Sequence, residues 1–228
     1  MVIKRVVPIT TILFDAGGTL VFPSFDRIAR ELAAHGVVAD PAALARADAR
    51  VRFEIDRPDV IAATTDGGRL RRYFDALAGA AGLARMPEPV FERLDAYHRI
   101  HNLWEDVPPD VPAALERLRG RVRMGVISNA NGTVRAKLAR VGLAGYFELV
   151  VDSHEEGIEK PDPRIFALAL ARMGVPAAEA AYVGDLYHVD VVGAAAAGLS
   201  AYLLDPFDLY PTAAVPPRLR SLAELPAG

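Results

Sequence analysis

Five short apolar runs, each ending in polar or turn-forming residues, limit this 228-residue chain more than any other feature. The first, Thr10-Thr11-Ile12-Leu13-Phe14, is β-branched and apolar and stops at Asp15 and the turn pair Gly17-Gly18. Arg123–Ile127, Phe147–Val151, Ala180–Val183 and Ala201–Leu204 are further runs of this kind, as strands buried on both faces should be. Helical spacing of apolar residues covers Val111–Leu118, Thr133–Val141, Pro163–Met173 and Val189–Ala197. Strand, loop and helix in repetition predict an α/β fold, because parallel strands must be joined by crossovers.

Between Ser24 and Trp104 the pattern is helical only, over Phe25–His35, Ala42–Ile55, Leu70–Ala81 and Glu88–Leu103. Pro41 and Pro87 stand where helices begin, Gly36 and Gly82 where they end. The expected organisation is therefore a sheet-bearing core from residues 1–22 and 105–228, with a four-helix insertion over 23–104. The length suits one core domain plus an insert. The Pro-rich stretch Pro206–Pro217 reads as a surface loop before a short last element around Leu222.

Composition removes several function classes. Lys plus Arg total 26 against 29 Asp plus Glu, a balance without a footprint for nucleic acid or an anionic membrane surface. Runs such as Arg69, Arg71, Arg72 read as a solvated helix face. Cysteine is absent, which excludes disulfides, thiolate catalysis and Cys-ligated zinc, and fits a cytoplasmic location. No secretion signal is read at the N-terminus and no apolar run approaches a membrane span.

In open parallel sheets ligands sit at the carboxyl ends of the strands, so the polar residues after each run are the ones to collect. They are Asp15, Gly17 and Thr19, then Ser128 and Asn129, then Lys160 before a helix start, then Asp185 and Asp190. Two carboxylates from different strands repel unless a cation lies between them, and oxygen ligands suit Mg²⁺. A metal, a lysine and a hydroxyl beside a carboxylate match phosphoryl transfer, which consists mainly of neutralising equatorial oxygens and aligning a nucleophile. An aspartate can be that nucleophile.

Phe14-Asp15-Ala16-Gly17-Gly18-Thr19-Leu20, Ile127-Ser128-Asn129, Lys160-Pro161-Asp162-Pro163 and Gly184-Asp185 with Asp190 resemble the four signature motifs of the haloacid dehalogenase superfamily of hydrolases, in order over nearly the whole chain. The resemblance implies a Rossmann-like doubly wound parallel sheet and makes the helical block a C1-type cap of subfamily I. His101-Asn102-Leu103-Trp104 and the first motif are also similar to the branch that includes haloacid dehalogenase-like hydrolase domain-containing protein 3. It implies Asp15 as nucleophile and metal ligand, the Gly17 carbonyl and Asp185 as further Mg²⁺ ligands, and Thr19 bracing the loop within the substrate-binding set. Ser128 and Asn129 would bind phosphoryl oxygens, Lys160 would neutralise nucleophile and phosphate, and Asp190 would orient Lys160 or a metal-bound water. The implied partner is a small phosphorylated molecule.

Gly17 departs from the pattern, since the family's phosphatases carry there a second Asp that protonates the leaving group. Losing such a group removes about 10²–10⁴ in rate, so slow hydrolysis is expected. His188 is a candidate substitute donor, although a histidine beginning a solvent-facing helix is the plainer reading. Trp104 reads as hinge packing, and His98 with His101, one turn apart, lacks a third metal ligand. Two alternatives stay open: a 2-haloacid dehalogenase, which also lacks the second Asp but resembles a serine where Asp185 stands, and a binding protein that has lost catalysis. A phosphonatase is disfavoured because residues 24–104 contain no lysine.

Overall fold

The computed structural model describes residues 8–210 and 217–226. The chain opens with strand β1 (Thr11–Phe14) and a two-residue strand β2 (Phe22–Pro23). Helices α1 (Phe25–Ala33), α2 (Pro41–Ile55), α3 (Pro58–Ala63), α4 (Asp66–Ala78) and α5 (Glu88–His101) follow, and β3 (Trp104–Asp106) returns the chain to the core. Next come α6 (Asp110–Leu118), β4 (Arg123–Ser128), α7 (Val134–Arg140), β5 (Leu149–Asp152), α8 (Ser153–Glu156) and α9 (Pro163–Met173). Then β6 (Ala180–Gly184), α10 (Gly193–Ala196), β7 (Ser200–Leu204) and β8 (Arg218–Leu219) complete the sheet.

The sheet runs β5-β4-β1-β6-β7-β8 with every neighbouring pair parallel. The α/β architecture expected from the apolar runs is present. The pleat sends Ile12 and Phe14 into one layer with Leu115, Met124 and Val126, and Leu13 into the other with Ile127, Phe166 and Tyr182. β1, central and wholly buried, thus delivers Asp15 to the middle of the sheet's carboxyl edge.

Several details refine the sequence reading. The sheet has a sixth strand, β8, whose two residues are too few to register as an apolar run. The Pro206–Pro217 loop lies partly outside the described residues, and the last element is a 3₁₀ turn, Leu222–Glu224. The insertion contains five helices rather than four: Pro58 starts α3 directly after α2, and six residues are too short to show periodicity. Val189–Ala197, expected as one helix, is a π-helical turn over Tyr187–Val192 that runs into α10. Its wide turn accompanies the return of Asp190 toward the Leu186 N–H, 3.0 Å away.

The inserted helices close on their own core, including Ile28, Leu32, Leu44, Phe74, Leu77 and Leu94. Two connections set their position over the sheet. The neck strands β2 and β3 pair antiparallel. Asp56, at the end of α2 and 1% exposed, accepts hydrogen bonds from the His188 and Val189 N–H groups and from the Tyr210 hydroxyl at 2.8 Å.

Candidate active site

Because β1 lies between β4 and β6, Asp15 is flanked by Ser128 at the end of β4 and Asp185 just after β6. Lys160 completes the group from the segment before α9. Its Nζ donates to Asp15 Oδ1 at 2.5 Å, Asp190 Oδ1 at 2.7 Å and the Tyr182 hydroxyl at 2.9 Å. The two carboxylates outweigh burial and push the Lys160 ammonium above its ordinary pKa. Asn129 fixes the lysine's backbone from both sides, donating to its carbonyl at 3.0 Å and accepting from its N–H at 2.8 Å. The Asn129 side chain, expected to bind substrate, is thereby committed to positioning Lys160.

Asp185 accepts from the Thr19 hydroxyl at 3.3 Å and from the guanidinium of Arg52, on α2. Thr19 was expected within the substrate-binding set. Its hydroxyl instead braces Asp185 and does not line the cavity, because the turn Gly17–Val21 tucks it behind the carboxylate. Arg52 is itself held by Asp48 at 2.8 Å, and Asp48 by the Tyr73 hydroxyl at 2.7 Å. This chain of contacts needs Gly18, whose φ of +89° suits glycine and whose Cβ, if present, would lie 2.7 Å from both Arg52 Nη1 and Asp185 Oδ2.

Asp15, Asp185 and Asp190 are all buried, with one oxygen from each within 4.8 Å of the others. Burial pushes the Asp15 carboxyl up to about 6, with Lys160 opposing and Asp190 adding to the rise. Burial likewise lifts Asp185 to about 7 against the pull of Arg52. Lys160 does not cancel three adjacent carboxylates, so the cluster has the charge and oxygen chemistry that a hard divalent cation satisfies. Each of the three already accepts hydrogen bonds within the protein: Asp15 from Lys160, Asp185 from Thr19 and Arg52, and Asp190 from Lys160 and the Leu186 N–H.

The insertion roofs this group with a cavity of about 530 Å³. Asp15, Gly17, Ser128, Lys160, Asp185 and Asp190 line its floor; Arg52, Arg69, His98 and Trp104 line its roof. Ser128 is buried and its hydroxyl has no hydrogen-bond partner among the described residues. Trp104 packs against Tyr73 and His98, and its indole also fills the volume beside Gly17: a Cβ there would lie 3.2 Å from Cδ1. His98 Nδ1 accepts from the Leu103 N–H, leaving the proton on Nε2, and burial lowers its pKa to about 4, so the ring is neutral near pH 7. His98 and His101 do not converge on a metal position, His101 packing on Tyr97 instead. His188, the candidate proton donor, lies outside the cavity with its ring 3.3 Å from Asp56.

Sequence reasoning missed several cavity or support residues, and it read Arg69 as part of a solvated helix face where the structure buries it in the cavity roof. Arg52 and Lys137 sit in helices whose charges look solvated one by one. Tyr182 is an apolar-run residue whose hydroxyl reaches Lys160. Asp152 ends β5 and caps the start of α7 through the Gly132 and Val134 N–H groups. A strand-end aspartate was the available signal for the last; for the others only the packing places the polar atom.

Residues 9–198 match the family model of the haloacid dehalogenase-like hydrolases, more than four-fifths of the chain. The chain belongs to this family. It is 30% identical over 198 residues to the glyceraldehyde 3-phosphate phosphatase of Methanothermobacter thermautotrophicus, covering 85% of this chain and 84% of the relative. It is 39% identical over 109 residues to haloacid dehalogenase-like hydrolase domain-containing protein 3 of Danio rerio, covering 46% and 45%. The fold matches that of the HAD-hydrolase YfnB of Bacillus subtilis in a magnesium-bound form, with a TM-score of 0.72 at 18% identity over 95% of this chain and 96% of that one. Several other curated relatives are matched over less of their length, 58%, 48% and 61% for three of them.

Proposed function

We propose that this hydrolase is a Mg²⁺-dependent phosphatase of small phosphorylated molecules that works through a phosphoryl group carried on Asp15. The observation that carries the reading is the buried group of Asp15, Asp185 and Asp190 around a single Lys160 ammonium, 2.5 Å from Asp15 and 2.7 Å from Asp190. Asp15, Asp185 and the Gly17 carbonyl would hold Mg²⁺, which when bound would supply positive charge to the phosphoryl group.

The side chains do the rest. Asp15, ionised with Lys160 on Oδ1, presents its other oxygen to phosphorus. The P–O bond to the leaving group breaks as the Asp15–P bond forms, and water then attacks phosphorus to release phosphate and regenerate Asp15. Ser128 offers a free hydroxyl to a phosphoryl oxygen, and Lys160 offsets the charge carried by Asp15. Asp190 and Tyr182 hold Lys160 in line, which makes them positioning residues. No carboxylate stands at Gly17, so aryl and acyl phosphates, whose leaving groups need no proton, turn over faster than alkyl esters.

Asp185 also bears on the dehalogenase alternative: a carboxylate facing the cavity repels a carboxylate substrate and favours a cation with a phosphate. Phosphatases of sugar and amino-acid phosphates among the relatives support the same substrate class. A cysteine-free chain suits the reducing cytoplasm, where we place it.

With Mg²⁺ and p-nitrophenyl phosphate, the wild type should exceed Asp15→Asn by at least about 10³-fold, the scale lost when a catalytic nucleophile is removed. Beryllofluoride should bind the wild type and not the variant. Equal rates for the two proteins would refute the reading.

A further inference from the structure

Only three of the 26 Lys and Arg residues are lysine, and two of them, Lys137 and Lys160, line this cavity. Both are 2% exposed. Lys160 has three polar partners, whereas Lys137 has neither a hydrogen bond nor an ion pair among the described residues. Burying an ammonium without a partner carries a desolvation penalty of several kcal/mol.

The position explains how it arises. Lys137 lies one turn into α7, on the face that buries Val134 and Leu138. Side chains on a helix lean toward its N-terminus, and the N-terminus of α7 lies at the carboxyl edge of the sheet, after β4. The ammonium is therefore carried along the apolar face toward Ser128 and the cavity. Asp15 and Asp152 are the negative groups whose fields reach it. Asp152 is already engaged by the Gly132, Val134 and His154 N–H groups, and Asp15 by Lys160. Burial lowers the Lys137 pKa to about 8, which leaves it mostly cationic near pH 7. The roof group that the field of Lys137 reaches is neutral His98, whose Nε2–H is another donor.

We propose that Lys137 binds the substrate's phosphoryl group, its ammonium and the free Ser128 hydroxyl together taking phosphoryl oxygens on the side of Asp15 away from Asp185. The inference rests on the phosphatase reading and adds a second lysine to it. It also gives the site a positive charge that does not depend on Gly17. This ammonium, buried yet facing the cavity and without a partner among the described residues, is completed by a dianion.

Inorganic phosphate is the probe, with binding followed by calorimetry in Mg²⁺ and by competition against p-nitrophenyl phosphate. Lys137→Met should bind phosphate about 10- to 100-fold more weakly, as expected for losing a hydrogen bond to a charged group. It should at the same time melt a few degrees higher, because methionine fills the same apolar channel without a buried charge. Lys137→Gln, which keeps a donor but no charge, should fall between the two and serves if the methionine variant does not fold. Unchanged phosphate affinity in the folded variant overturns the proposal, whatever its melting temperature. If the wild type hydrolyses nothing above Asp15→Asn, the phosphatase reading fails instead; an active wild type beside a Lys137 variant of unaltered affinity refutes Lys137 alone.

Discussion

The floor and the roof of the cavity handle charge in opposite ways. On the floor, Lys160 and Asp190 are 2% and 1% exposed and bonded to each other, and Asn129, Tyr182 and the Leu186 N–H hold them in place. The roof contributes Arg52, tied back to Asp48 of its own helix, a neutral His98 and the indole of Trp104. Sheet ends are rigid and close together, so they can keep several charges at hydrogen-bond distance. The roof is joined to them through the β2–β3 neck, the Asp56 latch and the Arg52–Asp185 contact, and the charges it brings to the cavity, Arg52 and Arg69 among them, stand on helices rather than on strand ends. The chemistry thus belongs to the floor, and the substrate's non-reacting part belongs to the roof.

The comparison breaks most visibly if the floor does not depend on Lys160. Lys160→Met leaves Asp15 and Asp190 without their ammonium, and should lower stability by about 3–5 kcal/mol and activity by at least about 10²-fold. Urea unfolding and steady-state rates measure both. A variant of normal stability would mean that the acids had simply shared protons.

A second test concerns sign. Asp185 is lifted to about 7 in the folded protein, above the ordinary carboxylate value of about 3.9, so the folded state binds the proton more tightly than the unfolded state. Its ionised form therefore destabilises the metal-free protein above pH 4, increasingly as the pH rises through 7. In EDTA at pH 8, Asp185→Asn should be more stable than the wild type by about 1–3 kcal/mol, an advantage that shrinks toward pH 4. His98 titrates in the opposite sense but is common to both proteins and cancels in the difference. Mg²⁺ should reverse the order by stabilising only the wild type. A wild type that is the more stable protein in EDTA at pH 8 would show that Arg52 alone balances Asp185.

The smallest expected effect sharpens the border between floor and roof. Gly17→Asp introduces the carboxylate that the first motif's resemblance leads one to expect at this position, but against the Trp104 indole, 3.2 Å from the new Cβ. It should lower stability by about 1–3 kcal/mol through overpacking and give no gain in turnover on alkyl phosphates. Paired with Trp104→Ala, the same aspartate has room and should raise that turnover. A gain from the single change would show that Trp104 yields easily.

Much of the fold and of the floor is legible in the chain, for one physical reason. A strand buried on both faces must be a continuous apolar run, so the first polar residue after it is necessarily at the sheet edge. Asp15, Ser128 and Asp185 follow from that rule alone, whereas Lys160, beyond α8, is read from its place before a helix start and from the motif it resembles. Short elements are not legible in this way: β8 and α3 hold too few residues for a period to show. Neither is a polar tip on an otherwise apolar helix face, which is why Lys137 and Arg52 read as ordinary helix charges.

From its sequence, then, this protein was bound to be a parallel α/β sheet with a helical insertion and acids at one edge, since periodicity and strand ends are local properties. Tertiary structure alone decided which charges are satisfied. It set Lys160 among three partners and left Lys137 with none among the described residues, it bonded the Asn129 and Thr19 side chains to Lys160 and Asp185, and it filled the space at Gly17 with Trp104. Partnership between buried polar atoms depends on distances of a few ångströms between residues up to 166 positions apart, and no local pattern encodes them.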